Sequence, residues 1–133
     1  IGEDEPRQIV SGLRAFYEAD ALTGKKCVVV ANLPKAKLGG VDSFGMVLCG
    51  SKDEKAVVEI LEPPADADDG ERAFVDGADG AAATANQVKK KKFWPPVAEK
   101  LAMAGGVATF DGQAISTSEG PCTCPSVADG MLS

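Results

Sequence analysis

Apolar positions along the chain fall into short runs separated by turn residues, with no long helical stripe. Lys25 to Asn32 carries the β-branched run Val28-Val29-Val30, which predicts a buried strand. Ser43 to Gly50 and Ala56 to Leu61 predict two more, with a charged turn between them. Arg7 to Arg14 reads as a strand, and Phe16 to Leu22 as one helical turn closed by Gly24. Pro34, Gly39 and Gly40 mark residues 34–40 as a loop. Residues 63–87 change character: Pro63-Pro64 leads into Asp, Gly and Ala, with a brief strand at Arg72 to Val75 and an exposed low-complexity loop from Asp76 to Ala85. Beyond Lys89 to Lys92, a proline at a helix start predicts a short helix over Val97 to Met103. Val107 to Phe110 and Gln113 to Ile115 flank Asp111-Gly112, a strong hairpin signal. The last eighteen residues read as an irregular closing segment. Short strands with spaced turn signals predict a small β-barrel or sandwich.

Composition narrows the chemistry. With 133 residues, 44% hydrophobic and 26% charged, the chain can fold around one modest core. It contains no histidine, which excludes Ser-His-Asp and Cys-His catalysis and any His-ligated metal. Its carboxylates cluster in polar stretches rather than inside apolar runs, and no nucleotide-binding or hydrolase motif occurs, so a non-catalytic protein is expected. No apolar run approaches the ~20 residues a bilayer span needs, so no membrane insertion is expected. Ile1 in place of a methionine suggests a processed or truncated N-terminus. Cys27 and Cys49 lie inside apolar runs, and Cys122-Thr123-Cys124 lacks the second pair of a zinc site. Structural thiols in a reducing compartment, cytoplasmic or organellar, with no metal and no cofactor, are the expectation.

Net charge is −6, yet it is segregated. Residues 21–51 carry +3 and residues 81–100 carry +4, while residues 52–80 carry −7. The acidic total therefore leaves room for a local basic face whose grip on a polyanion weakens with salt.

Two stretches bear candidate chemistry. In Asn32 to Met46, Lys35 and Lys37 offer charge for phosphates, glycines allow close backbone approach, and Ser43 and Met46 offer a hydroxyl and an apolar platform. Such a set suits a single-stranded or looped RNA. The same composition also describes an ordinary loop with two solvated lysines. In Lys89 to Trp94, a basic run beside aromatics could track a phosphate backbone, or be a solvated linker to two buried rings.

Taken together, Val10-Ser-Gly-Leu13, the Asn32 to Met46 pattern, Glu59-Ile-Leu-Glu-Pro-Pro64, Gly70-Glu-Arg72, Lys90 to Trp94 and Val107 to Phe110 make the sequence similar to a known family. It resembles the C-terminal tRNA-binding domain of the endothelial monocyte-activating polypeptide II family, which also occurs in multisynthetase auxiliary proteins and on some tyrosyl- and methionyl-tRNA synthetases. The resemblance implies a mainly β fold: a five-stranded oligonucleotide/oligosaccharide-binding (OB) barrel over 1–76, a basic linker or loop over 77–92, and a small α+β C-terminal extension over 93–133. It implies a non-catalytic tRNA-binding module, structure-dependent and largely sequence-independent, that assists an aminoacyl-tRNA synthetase or a multisubunit complex. The RNA-binding residues it implies are Asn32, Lys35, Lys37, Ser43, Met46, Arg72, Lys90, Lys91 and Lys92. In the family, roughly 25 residues with the first barrel strand precede the position of Ile1. A barrel without that strand carries open edges, so either those residues lie outside this sequence or a partner covers the gap. Gly39 stands where a basic residue is usual, and residues 101–133 hold no Lys or Arg. These features favour an alternative, a repurposed OB-fold subunit of a larger assembly with weakened or lost RNA binding.

Overall fold

The computed structural model describes residues 1–78 and 80–133. Its largest feature is a six-stranded antiparallel sheet in the order β6-β5-β12-β7-β8-β9. β5 (Cys49–Lys52) and β6 (Val57–Ile60) form a hairpin with Cys49 opposite Ile60. β7 (Leu101–Ala104), β8 (Val107–Phe110) and β9 (Gln113–Ala114) form a meander. β12 (Gly130–Leu132) lies between β5 and β7 and joins the two groups. The mainly β architecture expected from the sequence is thus present, with the C-terminal strand joining the middle of the chain to its last third in one sheet.

Three two-stranded ribbons complete the strands. β1 (Val29–Val30) pairs with β4 (Met46–Val47), β2 (Ala36–Leu38) with β3 (Val41–Ser43), and β10 (Ser116–Thr117) with β11 (Gly120–Pro121). Leu48 links the ribbon to the large sheet: its N–H donates to the Val28 carbonyl at 2.9 Å, and its carbonyl accepts from the Leu61 N–H at 3.0 Å. Among the described residues there are three short helices: α1 (Ala19–Leu22) precedes β1, and α2 (Ala85–Lys91) and α3 (Trp94–Glu99) lie between β6 and β7.

One core gathers Leu48, Leu61, Met103, Ala108, Ile115, Cys122, Cys124, Val127 and Leu132. Leu13, Cys49 and Ile60 form a second. Two residues from the closing segment, Cys122 and Val127, are fully buried, which is why that segment is ordered. The Glu59 carboxylate holds it from the side by accepting from the Ser126 and Val127 N–H groups at 2.8 and 3.3 Å.

Several sequence expectations are corrected. Arg7 to Arg14 forms no strand; it makes isolated bonds instead of a ladder, as when the Gln8 carbonyl accepts from Phe44 N–H and the Val10 N–H donates to Ser43 Oγ, both at 2.9 Å. Residues 34–40 are not a plain loop, because Ala36 to Leu38 pairs with Val41 to Ser43 around Gly39-Gly40. Both glycines have positive φ, 58° and 80°, the requirement of a tight two-residue hairpin turn. Asp111-Gly112 makes a turn of the same kind, as expected, with φ of 51° and 80°. The basic stretch expected as linker or loop is partly helical: Ala85–Lys91 forms α2 behind a Thr84/Gln87 capping box. The third helix begins three residues earlier than expected and ends at Glu99, since Leu101 to Ala104 is drawn into the sheet with Met103 buried.

The four thiols are all free; Cys49, Cys122 and Cys124 are buried and Cys27 is exposed. Burial pushes the Cys49 and Cys122 thiols up to about 11, so neither carries appreciable thiolate near neutrality. At pH 8 Ellman's reagent is expected to modify one thiol in the native protein and the other three only on unfolding. Rapid native modification of more than one would place a buried cysteine at the surface.

Candidate nucleic-acid interface

The β2–β3 hairpin stands out from the molecule: Ala36, Lys37 and Leu38 are all exposed. Lys35 enters it and Lys37 lies on it, so both ammonium groups reach solvent. Lys37 sits directly across the ladder from Asp42, and Lys35 Nζ lies 3.6 Å from Asp42 Oδ2. An exposed pair of this kind contributes under about 1 kcal/mol, so it tempers the basic hairpin without consuming it.

Beneath the hairpin the polar groups are spent on the fold. Ser43 is 2% exposed; its Oγ accepts from Val10 N–H and donates to the Gly45 carbonyl at 3.1 Å. Met46 is half-buried and packs against the main core. Ser43 is thus turned into the fold, its hydroxyl spent on Val10 and Gly45, and Met46 on β4 packs half-buried against the core.

Asn32 and Arg72 reach towards α2. The Asn32 side chain donates from Nδ2 to the Ala83 carbonyl at 2.9 Å. Arg72 Nη1 donates to the Gly80 carbonyl at 2.7 Å. These bonds tie the segment entering α2 to the strands that carry the hairpin. The helix is pinned further by its capping box and by buried Val88. Lys89, Lys90 and Lys91 occupy its last turn, where cations complement the helix dipole. Lys92 follows in the left-handed conformation, and Lys91 Nζ lies 5.8 Å from the centre of the Phe93 ring. At 1.5 Å rise per residue, these lysines lie roughly 6–9 Å along the axis from Ala85. Lys35 and Ala85 line one open groove, so the hairpin base and the start of the basic helix are neighbours.

A second cleft of about 700 Å³ runs beside β1, but its cations are engaged. Lys25 pairs with Glu62 at 2.5 Å, which raises the lysine pKa, and Lys26 donates to the Ala65 and Ala67 carbonyls. Asp68, Asp69 and Glu71 line it as well. This cleft does not offer phosphate the free charge that the hairpin does. Among the described residues no cluster of three or more metal-ligating side chains occurs.

Two features escaped the sequence reading. The helical state of 85–91 was signalled by Thr84-x-x-Gln87, a capping-box spacing. Phe44, 42% exposed beside Lys35, sits between the two residues singled out for contact. Strand alternation, which turns Ser43 inward and its neighbour outward, was the available signal.

A mainly β scaffold presenting a braced basic hairpin beside a basic helix defines a nucleic-acid-binding module. Residues 1–72 match the family described as "Putative tRNA binding domain", and the chain belongs to that tRNA-binding domain family. It is 37% identical over 135 residues to the cytoplasmic tyrosine–tRNA ligase of Gallus gallus, aligning over 100% of this chain and 26% of that protein. It is 38% identical over 134 residues to the cytoplasmic methionine–tRNA ligase of Caenorhabditis elegans, over 96% of this chain and 14% of the ligase. The chain thus spans about a quarter or less of the ligases it matches. The crystal structure of the C-terminal domain of Plasmodium vivax p43 superposes with a TM-score of 0.87 at 34% identity, covering 99% of this chain and 80% of that one.

Proposed function

We propose that this chain is a non-catalytic tRNA-binding module that reads RNA shape and phosphates rather than sequence, and assists an aminoacyl-tRNA synthetase in cis or in trans. The observation that carries the reading is the coupling of two basic elements. Asn32 bridges the base of the Lys35/Lys37 hairpin to the entry of α2, whose end carries Lys89 to Lys92, so two groups of phosphate-binding lysines are held at a fixed spacing. On this reading Lys35, Lys37, Lys90, Lys91 and Lys92 touch phosphate. Asn32 and Arg72 position the helix, Ser43 holds the hairpin from inside, and Met46 packs on the core beneath it. On the same reading the chain divides into a barrel unit over 1–76, a basic connection over 77–92 and an extension over 93–133, the first and last contributing strands to the one six-stranded sheet. Membership of a tRNA-binding family and similarity to two tRNA ligases support the partner class. No helix among the described residues is long and apolar enough to cross a membrane.

Filter binding of bulk tRNA at about 50 mM salt tests the reading, since phosphate contacts are strongest there. The wild-type protein is expected to retain tRNA. The double variant Lys35→Glu/Lys37→Glu is expected to bind about tenfold or more weakly, because two attractive contacts become repulsive. Absence of wild-type binding would sink the proposal and leave the interaction-subunit alternative, which the acidic total of −6 favours.

A further inference from the structure

The groove shared by Lys35 and Ala85 measures about 690 Å³ and is also lined by Arg7, Gln8, Leu33 and Phe44. Phe44 holds its ring there on an unusually fixed backbone. Its N–H donates to the Gln8 carbonyl at 2.9 Å, and its carbonyl accepts from Arg7 Nη1 at 3.0 Å. The same guanidinium donates to the Ala31 carbonyl at 2.6 Å and grips the Glu3 carboxylate through Nε and Nη2 at 2.9 and 2.6 Å. Gln8 Nε2 donates to the Asp42 carbonyl at 2.7 Å, and the neighbouring Ser43 hydroxyl is bonded inward. Main-chain groups around Phe44 are thus satisfied internally, while the ring itself is left 42% exposed.

Which part of an RNA such a groove accepts follows from its charges. Arg7 is committed to Glu3, and the Glu5 carboxylate also lines the wall. A phosphate is disfavoured against that wall and favoured outside it, at Lys35 and Lys37. An aromatic face set back from exposed lysines suits an unstacked base whose own phosphates lie on the lysines. We propose that Phe44 is the stacking platform of a single-nucleotide subsite, receiving one unpaired base of the bound RNA. This rests on the tRNA-binding reading and adds to it the one aromatic contact next to the hairpin, the role the sequence had suggested for Met46.

The test compares Phe44→Leu and Phe44→Trp with wild type, measuring affinity for bulk tRNA and for a short single-stranded oligonucleotide across a salt series. Leucine keeps apolar bulk but removes the π-face, whereas tryptophan enlarges it. Phe44→Leu is expected to weaken both ligands about 5- to 100-fold, the range of one lost base–aromatic stack, with the salt dependence unchanged. Phe44→Trp is expected to bind as well as wild type or better. A merely structural phenylalanine would not give that pattern, and matched melting curves check that the fold persists. If wild type binds RNA and Phe44→Leu binds equally well, the subsite is refuted while the tRNA-binding reading stands. If wild type binds neither RNA, both fall.

Discussion

Replacing Gly130 by alanine is expected to cost the protein about 3 kcal/mol or more, the upper end for overpacking a well-packed interior. Gly130 lies in β12, with β5 on one side and β7 on the other. A Cβ at this position would fall 2.1 Å from the Ser51 carbonyl oxygen and 3.3 Å from Val127 Cγ1. The first atom belongs to backbone, and that backbone is fixed by four residue pairs between β5 and β6. Relief therefore requires separating β12 from β5, which breaks the ladder that joins the C-terminal strand to the β5–β6 hairpin. Against a total stability of roughly 5–15 kcal/mol, such a loss is a large fraction. A fall in Tm of about 10 °C or more is expected by thermal circular dichroism. Gly12→Ala, with nothing within 4 Å of the added carbon, is the matched control and is expected to melt like wild type. Equal melting of the two variants would mean that β12 does not lie where the sheet has it.

The same strand shows which parts of the fold could be read from sequence. Val29–Val30, half-buried where a buried strand is expected, and Val57–Ile60 declare themselves because β-branched runs and flanking turns are local signals. Asp111-Gly112 does so because its turn chemistry is complete within four residues. Gly130-Met131-Leu132 carries no comparable mark: its pairing is written in Ser51 and Met103, far away in the chain. Arg7 to Arg14 fails for the opposite reason. Its apolar residues look strand-like, but Arg7 and Gln8 bond the Phe44 and Asp42 carbonyls, Val10 N–H bonds the Ser43 hydroxyl, and no ladder is built. The interface divides along the same line. Lysine side chains carry their charge in any context, so Lys35, Lys37 and Lys90 to Lys92 stood out at once. Whether Ser43, Phe44 or Met46 faces solvent depends on where the hairpin folds back, which composition does not contain. Asn32 and Arg72 were legible as important but not in role, since their partners are carbonyls of Ala83 and Gly80.

Salt offers the sharpest measure of the two-element interface. Each neutralised phosphate contributes about 0.7 to 0.9 to the slope of log affinity against log salt. The five proposed contacts, Lys35, Lys37, Lys90, Lys91 and Lys92, should together give a slope between about −3.5 and −4.5. Raising salt from about 50 to 200 mM is then expected to weaken tRNA binding roughly 100- to 500-fold. Replacing Lys90, Lys91 and Lys92 with alanine should shrink the magnitude of the slope by about 2 to 3, leaving the hairpin's share intact. Stability should hardly change, because all three side chains are exposed. Asn32→Ala removes no charge yet releases the tie to Ala83. If Asn32 positions the helix, this neutral substitution also reduces the slope, because lysines that no longer sit on phosphates release fewer counterions. It should also speed tryptic cleavage after Lys89 to Lys92 in the free protein. A slope unchanged by the triple alanine variant would remove α2 from the interface and confine binding to the hairpin. A slope unchanged by Asn32→Ala, with affinity lost, would make Asn32 a direct RNA contact instead of the strut between the two basic elements.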